Sequence, residues 1–349
     1  MFFAAMMLVN GIVTAADTVS VYRKEGDSLY DANAVTTRSQ QGTITGMSPT
    51  VVTLVDRASQ ERGISVNEID SIRFDEEPAA LSSVRLAIQT GNFDTAAQTL
   101  EKIDTTGITR KYILEEIAFF KAYLSAQSAM NPGKTEKEIT AGAKSMFDFI
   151  KSNPENWHVI AANEIIGDLM VLRGTGDVAL RYYKPLMDSS WPEYQMRGRI
   201  AVADINLAAD RINEAKAAYE AVLNAEDKSY RANLQKSYAR LGLARCAAKE
   251  GNPEQGLTMT EEVIKTSGTE DVSLNAAAYN TLGDISLLAG KKNDALLAYL
   301  HVDLLYPKAQ PEHIKALQKL VTLWKEKGKT DRESEVRQTL KTRYGVAVE

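Results

Sequence analysis

The chain has 349 residues, of which 44% are apolar and 25% charged, and a formal net charge of −5. That balance is an ordinary globular one and excludes a largely disordered polymer. The charge is spread evenly, and the absence of a basic block argues against binding a phosphate backbone.

The first stretch, MFFAAMMLVNGIVTAAD, is apolar up to the small residues Thr14, Ala15 and Ala16 and turns polar at Asp17. This is the pattern of a secretory signal peptide with a small-residue cleavage site, assigned to residues 1–16. No positive charge precedes Asp17, and the competing reading is a buried first strand or helix. The run is too short, and too broken at Asn10-Gly11, for a membrane anchor. The expectation is an exported, soluble mature protein of the periplasm or cell envelope.

Residues 17–76 carry strand signals. TVSVYRK is one candidate strand, and GTITGMSPTVVTLVD is rich in Val, Thr and Ile, with a turn signal at Gly46 and Ser48-Pro49. RGISVNEIDSIRF alternates at Ile64 and Val66, then resumes at Ile69, Ile72 and Phe74 after a short turn. Several short strands in so few residues predict a small antiparallel barrel or sheet.

After DEEPAAL the apolar period becomes helical and stays so through residues 77–345. A frame recurs in which a small anchor residue has another small residue twelve before it, glycine five before it, and an aromatic four after it. Ala295 fits it with Gly283, Gly290 and Tyr299. The anchors Ala96, Ala143, Ala179, Ala215, Gly256, Ala295 and the looser Glu333 are spaced by 47, 36, 36, 41, 39 and 38 residues. The stretch YNTLGDISLLAGKKNDALLAYLHVDLLYP, Tyr279–Pro307, resembles a tetratricopeptide repeat (TPR), whose period is about 34 residues, and the helical part resembles seven of them. The strand-rich start followed by hairpins is similar to envelope-associated TPR proteins of bacteria. The resemblance implies a mainly α fold: a TPR-like solenoid of about seven helical hairpins behind a small antiparallel β module. The module then acts either as a cap on the first hairpin or as a second docking surface. Within each hairpin, Gly283 is expected to face Ala295, Gly290 to close the first helix in a left-handed conformation, and Pro307 to stop the second.

Little in the sequence points to chemistry. Cys246, the only cysteine, sits in an alanine-rich helical pattern and reads as a buried hydrophobe. His158, His301 and His313 lack a second ligand at metal spacing, and RGTGD at Arg173–Asp177 reads as a hairpin turn. Glu115-Glu116 and Glu261-Glu262 read as solvated faces. No catalytic group, cofactor or metal is expected.

The resemblance places a partner groove on the inner wall, just after the small positions of each first helix. That implies Arg85, Phe119, Asp168, Asp204, Arg245 and Asp284, with Glu115, Glu164 and Asn280 one turn earlier. Acids at Glu164, Asp168, Asp204 and Asp284 disfavour a clamp for carboxylates and favour a basic or neutral polar protein or peptide segment. The alternatives are that these acids are only the wet face of amphipathic helices, or that the protein holds a cell-wall glycan or peptide on Trp157, Trp191 and Tyr194.

Overall fold

The computed structural model describes residues 16–22 and 36–347, so all but the last residue of the predicted leader lies outside them. The strand signals become β1 Asp17–Tyr22, β2 Thr37–Met47, β3 Val51–Val55, β4 Glu61–Ser65 and β5 Ile69–Arg73, all paired antiparallel in the order β4-β3-β2-β1-β5. The two edge strands, β4 and β5, are separated in sequence only by a 3-10 turn, Val66–Glu68. Four Cα steps from Ser65 to Ile69 reach at most about 14 Å. The edges of a flat five-stranded sheet lie about 19 Å apart. The sheet must therefore curl toward a barrel, and its alternate side chains Val19, Val21, Ile44, Val52, Leu54 and Ile72 are buried inside.

This module shares its core with the first hairpins, since Phe74 continues into Leu81, Val84, Leu100 and Ile113. A polar clasp locks the same junction. Asp17 is 1% exposed, accepts hydrogen bonds from the backbone N–H of Ile44 at 2.7 Å and of Asp75 at 2.8 Å, and takes both guanidinium nitrogens of Arg110. A buried carboxylate is tolerated only when paired and bonded in this way.

Among the described residues, fourteen helices follow as seven antiparallel hairpins. They are α1 Ala79–Gln89 with α2 Phe93–Glu101, α3 Lys111–Met130 with α4 Glu136–Ser152, α5 Val159–Leu172 with α6 Gly176–Met187, and α7 Pro192–Ala208 with α8 Ile212–Leu223. The last three are α9 Tyr230–Lys249 with α10 Pro253–Thr266, α11 Val272–Leu288 with α12 Lys292–Leu305, and α13 Gln310–Glu326 with α14 Thr330–Tyr344. Every sequence anchor falls on a second helix, and Ala96, Ala179, Ala215 and Ala295 are fully buried. Gly290 turns the chain at φ 75°, as expected of a residue closing a helix, whereas the α7–α8 turn uses Asp210 at φ 57°. Cys246 is fully buried in α9.

One packing expectation changes. A Cβ on Gly283 would lie 2.6 Å from the Tyr299 ring, and one on Gly167 would lie 2.7 Å from the Tyr183 ring. The glycine makes room for a tyrosine of the second helix, which is a tighter constraint than the expected apposition with Ala295.

Successive first helices touch, α3 with α5, α7 with α9, α9 with α11 and α11 with α13, while no pair of successive second helices packs comparably. Elements that approach more closely lie on the inside of a curve, so the first helices form the concave wall. The β module reaches this wall. The Asn67 amide donates to Glu193 on α7 at 2.9 Å, and Arg231 on α9 donates to the Asn67 carbonyl at 2.5 Å while lying 4.6 Å over the Tyr22 ring. The module is thus more than a cap on the first hairpin: it also covers the N-terminal ends of α7 and α9.

Gly283→Ala is expected to force the Tyr299 ring aside and cost about 1–3 kcal/mol in denaturant unfolding, the usual penalty of overpacking. An unchanged unfolding midpoint would show that the close approach is not a constraint.

Candidate functional site

The inner wall is built on one repeated unit. In three hairpins an aspartate follows the small residue of the first helix, and a tyrosine fifteen positions on packs its ring in the hairpin core. The hydroxyls of Tyr183, Tyr219 and Tyr299 donate to Oδ1 of Asp168, Asp204 and Asp284 at 2.7, 2.5 and 2.7 Å. Each ring is at most 2% exposed, so its hydroxyl needs an acceptor, and the aspartate supplies one at the edge of the groove. Burial, reinforced by the neighbouring carboxylate, pushes all three phenols up, so they remain donors.

Cations answer these acids from the next first helix. Arg197 on α7 grips Glu164 on α5 through two nitrogens, Arg245 on α9 meets Asp204 on α7 at 2.6 Å, and Lys319 on α13 lies 3.5 Å from Asp284 on α11. The wall is therefore a ladder of alternating charges. Three of the four acids expected on the wall, Glu164, Asp204 and Asp284, thus have a cationic partner there.

On α7 the residues Glu193, Arg197 and Asp204 follow each other by four and seven positions and so share one helical face. Glu193, at the N-terminal end, is covered by the β module. Beyond Asp204 the wall opens into a cleft of about 260 Å³ between the C-terminal ends of α7, α9 and α11. Leu207, Ile285 and Leu288 give it an apolar floor, and Asp204, Arg245, Lys249 and Asp284 its charged sides. Leu288 is 64% exposed there. A larger hollow, about 570 Å³, lies between the β module and α1, but it borders Ala16, where the described residues begin.

Asp204, Arg245 and Asp284 thus come together in one cleft, and the other expected groove residues do not. Arg85 is spent on Glu77, at 2.5 and 2.8 Å, beneath the β module. Phe119 is buried and stacks on His158 with ring centroids 3.4 Å apart. Glu115 is buried and accepts from Asn156 at 3.0 Å, while Asn280 donates to Glu312 at 2.7 Å. Glu164 and Asp168 remain on the wall away from the cleft. Glu115 and Glu116 are not a solvated face: Glu116 is 2% exposed, lies 3.7 Å from Arg85 and hydrogen-bonds His158 at 3.1 Å. Burial holds the His158 imidazole below its ordinary range, with Glu116 opposing that shift. Glu261 and Glu262 are exposed, as expected.

Sequence reasoning missed the tyrosine hydroxyls, the cations Arg197 and Lys319, and the floor residues Leu207 and Leu288. The constant interval of fifteen in 168–183, 204–219 and 284–299 was the signal available for the first. Nothing local marks the cations, which meet their acids 33, 41 and 35 positions away, across a repeat boundary.

Burial pushes the Asp168 carboxyl up to about 6 from its ordinary 3.8, Glu164 adding to the rise while the Tyr183 hydrogen bond opposes it. Between about pH 3.8 and 6 the folded chain therefore holds a proton here that the unfolded chain releases. The stability this contributes is present below pH 3.8 and lost as the pH rises through about 6. Asp168→Asn should gain thermal stability over the parent above pH 6 and lose most of that advantage near pH 4. An advantage of equal size at both would contradict the assignment.

No family model matches the sequence, and no curated protein does. In structure the chain is similar to a Rap protein complexed with competence and sporulation factor, at 13% identity and TM-score 0.49 over 74% of this chain and 73% of that one. It is also similar to PilW, a widely conserved type IV pilus biogenesis factor, at 16% identity and TM-score 0.39 over 67% and 95%. A tetratricopeptide repeat protein from Parabacteroides merdae matches at 14% identity and TM-score 0.46 over 76% and 92%. Likenesses at these levels say nothing of what this chain binds. Its own hairpins, anchors and left-handed turns carry the conclusion: the chain is a TPR-like α-solenoid of seven hairpins behind a small antiparallel β module.

Proposed function

We propose that the protein is an exported, non-enzymatic scaffold of the periplasm or cell envelope that docks a segment of another protein in its concave groove. The observation that carries this reading is the cleft at the C-terminal ends of α7, α9 and α11, with its exposed Leu288 beside paired charges. Preformed grooves with an apolar floor and polar walls suit peptide segments: the floor supplies affinity and the walls select and orient. Asp204 and Asp284 each spend Oδ1 on a tyrosine, and a second carboxylate oxygen on each is left to receive a donor from the partner. The segment that fits carries an apolar side chain for Leu207, Ile285 and Leu288, flanked by basic or neutral polar groups.

A glycan-binding reading has less support. Trp157 and Trp191 are each 9% exposed and are packed against His158 and Tyr194, so they offer little ring face to a sugar. The export part of the proposal rests on the apolar run before Asp17. Its check is the N-terminal sequence of the protein recovered from the periplasmic fraction, which should begin near Asp17.

For docking, the full chain is used as bait in envelope extract beside Asp204→Lys/Asp284→Lys. A partner retained by the parent is expected to fall at least tenfold on the variant, with the thermal midpoint measured in parallel. Equal retention would move the site off the cleft, and sedimentation of the parent with isolated wall material would favour the glycan reading.

A further inference from the structure

Each repeat of a solenoid touches only its neighbours, so the array flexes along its length. The β module breaks that rule. It joins Asn67 to Glu193, 126 positions on, and to Arg231, 164 positions on, and so closes a ring that runs through the first four hairpins. Two paired strands carry the bridge. β1 runs from Asp17, in the clasp on Arg110, to Tyr22, beneath the Arg231 guanidinium. β5 returns from Ile69, beside Asn67, to Arg73, beside Phe74, in antiparallel register with β1. The five steps from Asp17 to Tyr22 span about 17 Å.

The junctions at the two ends of this bridge are built differently. At the first hairpin Phe74 enters the helical core, and Asp17 receives two backbone N–H groups and both Arg110 nitrogens. At α7 and α9 the contacts are polar. The Asn67 amide bonds Glu193 at 2.9 Å, and Arg231 bonds the Asn67 carbonyl at 2.5 Å, lies over the Tyr22 ring and sits 3.5 Å from Glu193. Three of these four contacts run through Arg231. Asn67 Oδ1 is buried there and has no protein donor. A buried acceptor without a donor disfavours the closed junction, and it regains water when the junction opens.

We propose that the β module is a reversible strap, fastened permanently at the first hairpin and latched onto α7 and α9 through Arg231. It opens by rotation of the module and first hairpin together, taken up as shear between the hairpins in between. The closed latch ties α7 to α9 at their N-terminal ends, and Asp204 and Arg245, at the other ends of the same two helices, line the cleft. On the docking reading above, a segment seated between Asp204 and Arg245 binds the two latch states unequally, which makes the strap a regulator of the cleft. That step rests on the docking reading; the latch is a property of the chain alone.

Cys246, the only cysteine, is fully buried, so spin labels go to engineered positions of the full chain. Thr50 is exposed at the latch end of the module, where its carbonyl accepts from the Val66 N–H, and Glu226 is exposed just before α9. Labels on Thr50→Cys/Glu226→Cys report the latch, and labels on Thr50→Cys/Gln98→Cys, within the module and first hairpin, are the control. The Thr50–Glu226 pair is expected to give a main short distance and a minor longer one, and adding Arg231→Ala should raise the long-to-short ratio at least tenfold. The control should give one distance in both backgrounds. A parent with a single Thr50–Glu226 distance, a ratio unmoved by Arg231→Ala, or a control that spreads along with it would each overturn the proposal. These distances need no partner, so failure to find one counts against the docking reading and not against the latch.

Discussion

The tyrosine that crosses three of the seven hairpins, Tyr183, Tyr219 and Tyr299, is the contact that ties the fold to the inner wall. Its ring sets the distance between two helices, because the space it enters exists only where the opposing residue has no Cβ, as at Gly167 and Gly283. Its buried hydroxyl requires an acceptor. Asp168 and Asp284, each one residue beyond the glycine, meet that need and are held facing the groove. Tyr219 varies the scheme by lying against Gly242 of the following hairpin while bonding Asp204 of its own. One side chain thereby ties the packing of a hairpin, and in this case of two, to the position of a carboxylate on the concave wall.

These carboxylates are structural groups first. Part of each aspartate is committed to a tyrosine; Asp204 and Asp284 also answer a cation on the next first helix, as does Glu164. Exposed pairs of this kind contribute little to stability, whereas bonded and partly buried ones fix the relative position of successive repeats. The β module adds a further restraint at the opposite rim through Asn67, Glu193 and Arg231. What remains open on the wall is the cleft where α7, α9 and α11 end.

The sequence was most legible where one residue type satisfies a purely local need. The anchor alanines, the turn at Gly290 and the candidate strand TVSVYRK follow from helix contact, left-handed backbone and β-branched composition, and each is found in place. It was least legible where burial depends on distant chain. Glu115 and Glu116 look like surface acids until Arg85, Asn156 and His158 close over them. Phe119 occupies a groove position by its place in the repeat, yet His158 lies flat against it. The reach of the β module to α9 joins Asn67 to Arg231, 164 residues apart, and no local pattern carries such a contact. Of the nine residues expected on the inner wall, three, Asp204, Arg245 and Asp284, line the open cleft.

The central claim is that partner binding is confined to the C-terminal ends of α7, α9 and α11. A photo-crosslinking side chain placed at Leu288 in cells, with a second placed at Thr258 on the convex face, tests it directly. The account predicts a discrete adduct with one partner from position 288 and none from position 258. Adducts from position 258 alone would contradict it and place the binding surface on the opposite side of the solenoid.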